Sequence, residues 1–229
     1  MRAVLFVALS VFYVFNAHAA DAPRERLRLS ASATAEVTRD VLGISFSTTR
    51  EGPEAAAVQT ALKQALDAAL NEARKIAKPG QVDVQTGAFS LHPRHDPKTG
   101  KINGWQGSAE LQVEGRDAAA IAQLAGRINT LSIQRVGYSL SREAREKAEA
   151  DITAQAISRY RAKAADYAKQ FGYGSYVVGE VNIASDEANA PRPMMAMRMK
   201  AEMADAALPT EAGKATVTVN VSGSVQLTK

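Results

Sequence analysis

The chain has 229 residues, 46% of them hydrophobic and 23% charged, ordinary globular usage that excludes a fibrous or wholly disordered protein. It contains no cysteine, which removes thiol nucleophiles, iron–sulfur and zinc–thiolate sites, disulfides and a lipidated N-terminal cysteine together. The 28 cations and 24 anions are interleaved, and six Phe, six Tyr and one Trp are the whole aromatic supply, so the clustered basic surface that nucleic acid requires is not expected.

Arg2, an apolar run over residues 3–15 and then Asn16-Ala17-His18-Ala19-Ala20 have the charged, apolar and small-residue regions of a secretory signal peptide. The apolar run falls short of the roughly 20 residues that span a bilayer. Cleavage near Ala19 or Ala20 is expected, giving a single domain over residues 21–229 that is periplasmic or secreted, with no stable membrane insertion once the leader is removed. An exported chain without disulfides must draw its stability from a hydrophobic core, and about 200 residues suffice to bury one.

Alternation over Leu27–Val37 and Asp40–Thr49 predicts two strands joined at Arg39-Asp40 and lying side by side. Gly52-Pro53 then opens a helix, with proline in its first turn. Ala55, Val58, Leu62, Leu66, Ala69, Ala73 and Ile76 form its apolar stripe until Pro79-Gly80 stops it. Val82, Val84, Ala88 and Leu91 mark a strand ending at His92-Pro93, and residues 94–100 turn the chain into a second strand over Lys101–Glu114, making a hairpin. Asp117 is a natural N-cap for a short helix bearing Ile121, Leu124, Ala125 and Ile128, and Leu131–Leu140 is again extended. From Asp40 onward this order is the split βαβ, ferredoxin-like arrangement.

The longest predicted helix runs over Ser141–Phe171, with Ala144, Ala148, Ile152, Ala156, Tyr160, Ala164, Tyr167 and Phe171 as its stripe and Glu143–Lys147 as a supporting i, i+4 pair. Gly172 and Gly174 can end it. A strand over Tyr176–Ile183 and a closing strand over Ala215–Leu227, alternating through Val217, Val219, Val221 and Val225, complete an α/β (α+β) chain. Residues 184–214 between them are rich in Pro, Met and Ala and too long for an ordinary connection, so a mobile loop that is either functional or disordered is expected there.

Taken together, Ser30-Ala31-Ser32-Ala33-Thr34-Ala35, Val82-Asp83-Val84-Gln85-Thr86, Pro93-Arg94, Arg161-Ala162-Lys163-Ala164 and Pro209-Thr210-Glu211-Ala212-Gly213-Lys214 before the valine-alternating strand carry a resemblance. The chain resembles the SIMPL-domain proteins of bacterial envelopes, whose members include a periplasmic immunogenic protein and an oxidative stress defence protein. The resemblance implies a SIMPL-type fold: a ferredoxin-like core, a long alanine-rich helix and a C-terminal strand pair. It further implies an exported location, homo-oligomers that are ring- or channel-like in some members, an envelope protein as a candidate partner, a role in envelope or oxidative stress tolerance, and no established enzymatic activity. It supplies no catalytic residue, cofactor or metal ligand to transfer.

Direct tests for chemistry agree with that expectation. His92, His95 and Asp96 form a small cluster, but Pro93 and Pro97 flank a turn with no further His or Cys nearby, and a solvated hairpin tip is the better reading. No Gly-x-Ser-x-Gly occurs, and Gly172-Tyr173-Gly174 follows a helix where a phosphate loop would precede one. Arg159, Arg161 and Lys163 are diluted by Glu149, Asp151 and Asp166 and read as a solvated face. Phe89 and Trp105, across the predicted hairpin, are read as cross-strand packing in preference to a ligand pocket. Met194, Met195, Met197, Met199 and Met203 gather in one segment. Thioethers suit Cu(I) or oxidant scavenging, making a soft-metal or small-ligand binding module the rival function, whereas gap-filling contact with a neighbouring subunit is their commoner use.

Overall fold

The computed structural model describes residues 25–188 and 208–229. The signal-peptide reading and the five-methionine segment therefore lie outside the described residues. Those described form two antiparallel sheets, each with its own hydrophobic core.

The first sheet carries β2 (Val41–Gly52), β3 (Val82–His95), β4 (Ile102–Gly115) and β5 (Ser132–Ser139), in the order β3-β4-β2-β5. With α1 (Ala55–Arg74) after β2 and α2 (Ala118–Arg127) after β4, this is the expected split βαβ topology. Leu42, Ile44 and Phe46 of β2 and Ala109, Leu111 and Val113 of β4 alternate inward and meet Val58, Leu62, Leu66 and Ala69 of α1 and Ile121 and Leu124 of α2. Gly107 lets α1 approach closely, because a Cβ there would lie 2.7 Å from Leu62 Cδ1 and 2.5 Å from the Ser90 carbonyl oxygen. Asp117 caps α2 as expected, accepting from the Ala120 amide at 3.0 Å. Pro53 sits one residue before the α1 N-cap, Glu54, instead of in the first turn. The hairpin strand β3 continues past His92-Pro93 to His95.

The second sheet has the order β1-β7-β6, with β1 (Arg26–Thr38) and β6 (Ser175–Ala188) flanking β7 (Lys214–Thr228). The side-by-side arrangement of β1 and β2 is thus corrected: they belong to different sheets, and Arg39-Asp40 carries the chain between them. The Arg39 amide donates to the Gly213 carbonyl at 3.0 Å and the Asp40 amide to the Ser139 carbonyl at 3.1 Å, so each residue joins a different sheet. Burial alone would raise the Asp40 carboxyl. Hydrogen bonding from Ser141, whose amide lies 2.7 Å from Oδ1, and the Arg116 guanidinium 3.3 Å away hold it below its ordinary 3.8.

Helix α3 (Arg142–Gln170) is capped by the Ser141 hydroxyl, which accepts from the Ala144 amide at 3.1 Å. It ends in a Schellman turn. The Gly172 amide donates to the Lys169 carbonyl and the Tyr173 amide to the Ala168 carbonyl, with Gly172 at φ 80. Its buried stripe is Ile152, Ala156, Tyr160, Ala164 and Ala168, a strict four-residue step. Phe171 falls off that line and is 63% exposed, a correction to its predicted place in the stripe. Glu143 pairs with Arg116, whereas Arg142 and Glu146 form the i, i+4 pair at 2.8 Å.

Candidate functional site

The second sheet treats its two edges differently. On the β1 side, Arg159 Nη1 donates to the Ser32 carbonyl at 2.9 Å and Lys163 Nζ to the Ser30 carbonyl at 3.0 Å. These two cations, one helical turn apart on α3, occupy outward carbonyls of an edge strand that would otherwise template pairing with another chain. Read from sequence as a solvated face, they cap an edge. Their i, i+4 spacing was the only signal, and it does not reveal what the cations face.

On the β6 side the geometry is open. Val178, Val181 and Ile183 stand opposite Val225, Gly223 and Val221 of β7, on the face that α3 covers. The helix lies over β1 and β7 and touches β6 little. The core face therefore runs out from under α3 onto β6, leaving Val181 39% and Ile183 46% exposed. Val177 adds a further exposed apolar side chain on the opposite face. An uncovered apolar row along an edge strand is the feature that native sheets usually blunt.

The bulge in β6 adds a second feature. Val178 pairs with Val225 and Val181 with Gly223, so Gly179 and Glu180 together oppose Ser224. Two buried hydroxyls without a hydrogen-bond partner adjoin it, Tyr160 on the helix side and Ser224 in the sheet. Tyr160 is 2% exposed, and burial, with Tyr176 adding to it, pushes its pKa up and keeps the phenol neutral.

The clusters singled out in the sequence are placed as follows. His92 pairs with Gln106 and His95 with Ile102 along the β3–β4 hairpin. Asp96 caps the tip, its Oδ1 accepting from the Thr99 amide and hydroxyl and the Lys98 amide, which hold its carboxyl below the ordinary range. Among the described residues no group of three His, Cys, Asp or Glu converges as a metal site. Phe89 stands opposite Ala109 and Trp105 opposite Pro93, so the two aromatics do not face each other across the hairpin. Trp105 packs against the first core and Phe89 is exposed. Their separation follows from the long register of the pair, which sequence alternation does not fix. Among the described residues no helix is long and apolar enough to cross a membrane.

No curated protein matches the chain. Among the solved structures that match is "The crystal structure of AtUAH in complex with glyoxylate", 14% identical over 62% of this chain and 34% of that one, at a TM-score of 0.26. The family model named SIMPL, described as a protein of unknown function (DUF541), matches residues 27–225, from the start of β1 almost to the end of β7. The chain belongs to the SIMPL family.

Proposed function

We propose that this is a non-enzymatic, exported SIMPL-family protein that acts through self-assembly and serves envelope or oxidative stress tolerance. The observation that carries the assembly reading is the contrast between the two edges of one sheet. Arg159 and Lys163 close β1, whereas β6 presents Val178, Val181 and Ile183 beside a backbone edge that, among the described residues, no strand pairs. A second copy is the occupant that fits, because antiparallel pairing of β6 with its own mate about a two-fold axis satisfies both open edges at once and sets the two apolar rows side by side in contact. Export is supported by the leader pattern of residues 1–20, and the stress role by the family resemblance.

Light scattering on the purified protein tests the assembly. A mass of two chains or more, rising with concentration toward a closed oligomer, is expected, and the mass of a single chain at every concentration would contradict it. For the stress role, a deletion strain should lose survival under peroxide or metal challenge and regain it with the restored chain. Equal survival of the deleted and parent strains would remove that role.

A further inference from the structure

Among the described residues the chain passes between the two sheets three times, and the crossings lie side by side. The Arg39 amide donates to the Gly213 carbonyl and the Asp40 amide to the Ser139 carbonyl. Arg39-Asp40, where β1 gives way to β2, therefore runs between Gly213, which precedes β7, and Leu140-Ser141, which follows β5. Three crossings in one row make a strip, which resists shear in its own plane and bends readily about the line of the row. Among the described residues little else restrains that bend: the buried side chains of the two cores form separate sets, and no strand or helix of one sheet packs broadly on an element of the other. Units that share no large apolar interface move as bodies about the few residues that join them.

Arg116 ties the two units together beside the strip. It belongs to the first unit, following β4, with its amide donating to the Gln81 carbonyl at 2.8 Å. Its guanidinium reaches Asp40 in the strip, Nε lying 3.3 Å from Oδ2, and through Nη2 it also holds Glu143 in the first turn of α3, the helix of the second unit. The other Asp40 oxygen accepts from the Ser141 amide at 2.7 Å, across to the neighbouring crossing. A guanidinium carries its donors in a rigid planar fork, so one that grips two carboxylates in different directions fixes the angle between the elements bearing them. The side chains of Arg116 and Glu143 are 44% and 75% exposed, which leaves the tie open to screening by salt.

We propose that the strip is a hinge and Arg116 its latch, which holds the two sheets at one angle by gripping Asp40 and Glu143 and lets them swing when those charges are screened. The latch does not involve the β6 edge, and it does not rest on the assembly reading.

Pulsed dipolar spectroscopy between spin labels at Gln64→Cys on α1 and Gln155→Cys on α3 tests it. Both positions are exposed, and the absence of native cysteine makes each label unique. Labelled chain is diluted into a large excess of unlabelled chain, so that only distances within one copy are read. A narrow distance distribution is expected at low salt, with its width roughly doubled or its mean displaced in concentrated sodium chloride. In the same labelled background, Arg116→Gln should give the broad or displaced distribution already at low salt and lose the salt response, with an unfolding midpoint within a few degrees of the parent. A parent distribution as broad as that of the variant at low salt, one that salt leaves unchanged, or a folded Arg116→Gln protein with the parent's narrow distribution would overturn the proposal. The salt titration needs no change at the latch and decides the matter even where the variant fails to fold.

Discussion

At Gly223 the second sheet has no room for a methyl group. A Cβ there would sit 2.3 Å from the Glu180 carbonyl oxygen and 3.1 Å from the Tyr160 hydroxyl. Gly223→Ala should therefore destabilise the protein by about 1–3 kcal/mol, as overpacking typically does. Tyr160→Phe is expected to leave the unfolding midpoint unchanged or raise it, because the hydroxyl it removes is buried and unpaired. Thermal unfolding of the two variants checks both, and a large loss in Tyr160→Phe would show that the phenol has a partner. Asp40 gives the pH dependence at this scale. Its folded carboxyl lies below 3.8, so the stabilisation it contributes is present above that value and is lost as pH falls through the lower folded value. The group is partly exposed, so the effect stays below about 1 kcal/mol. Asp40→Asn should flatten the acid limb of the stability profile, and an identical limb would assign it to other carboxylates.

Among the elements, α3 shows what periodicity reveals and what it leaves out. The four-residue apolar step, the Ser141 cap and the Gly172 stop are all local, and all are legible because a helix is specified within a turn or two of itself. Its register to the sheet is not local, which is why Arg159 and Lys163 read as solvated and Phe171 as buried. Ile152→Asp places a carboxylate without a partner in the second core and should cost on the order of 3–5 kcal/mol, read as a fall in the unfolding midpoint. An unchanged midpoint would mean that the stripe faces water. Replacing Arg159 and Lys163 with alanine should change stability little but expose the Ser30 and Ser32 carbonyls. Sedimentation should then reveal larger, irregular aggregates, and a particle distribution like that of the wild type would deny these cations an edge-capping role.

For the whole molecule, the ferredoxin-like core was legible from the order of its elements, because strand-helix-strand-strand-helix-strand between Asp40 and Leu140 is the signature of the split βαβ arrangement, although only β3 and β4 pair as sequence neighbours and β2 reaches across to β4 and β5. Of the second sheet only the C-terminal strand pair, β6 with β7, was expected, through the family resemblance; the place of β1 was not. β1 pairs with β7, from the opposite end of the chain, and alternation in β1 is the same whichever sheet it joins. The uncovered β6 row was equally hidden: Val178, Val181 and Ile183 read as an ordinary strand, and only the placement of α3 over β1 and β7 shows that they lack cover.

The central claim is that the open side of β6 is where copies of the chain meet, and sedimentation velocity on the wild type beside a Val181→Lys, Ile183→Lys double variant tests it most directly. Both positions are half-exposed and outside the cover of α3, so the lysines should leave the unfolding midpoint within a few degrees of the wild type. The account predicts a concentration-dependent oligomer for the wild type and a single-chain species for the variant. A monomeric wild type, or a folded variant that assembles as the wild type does, would contradict it.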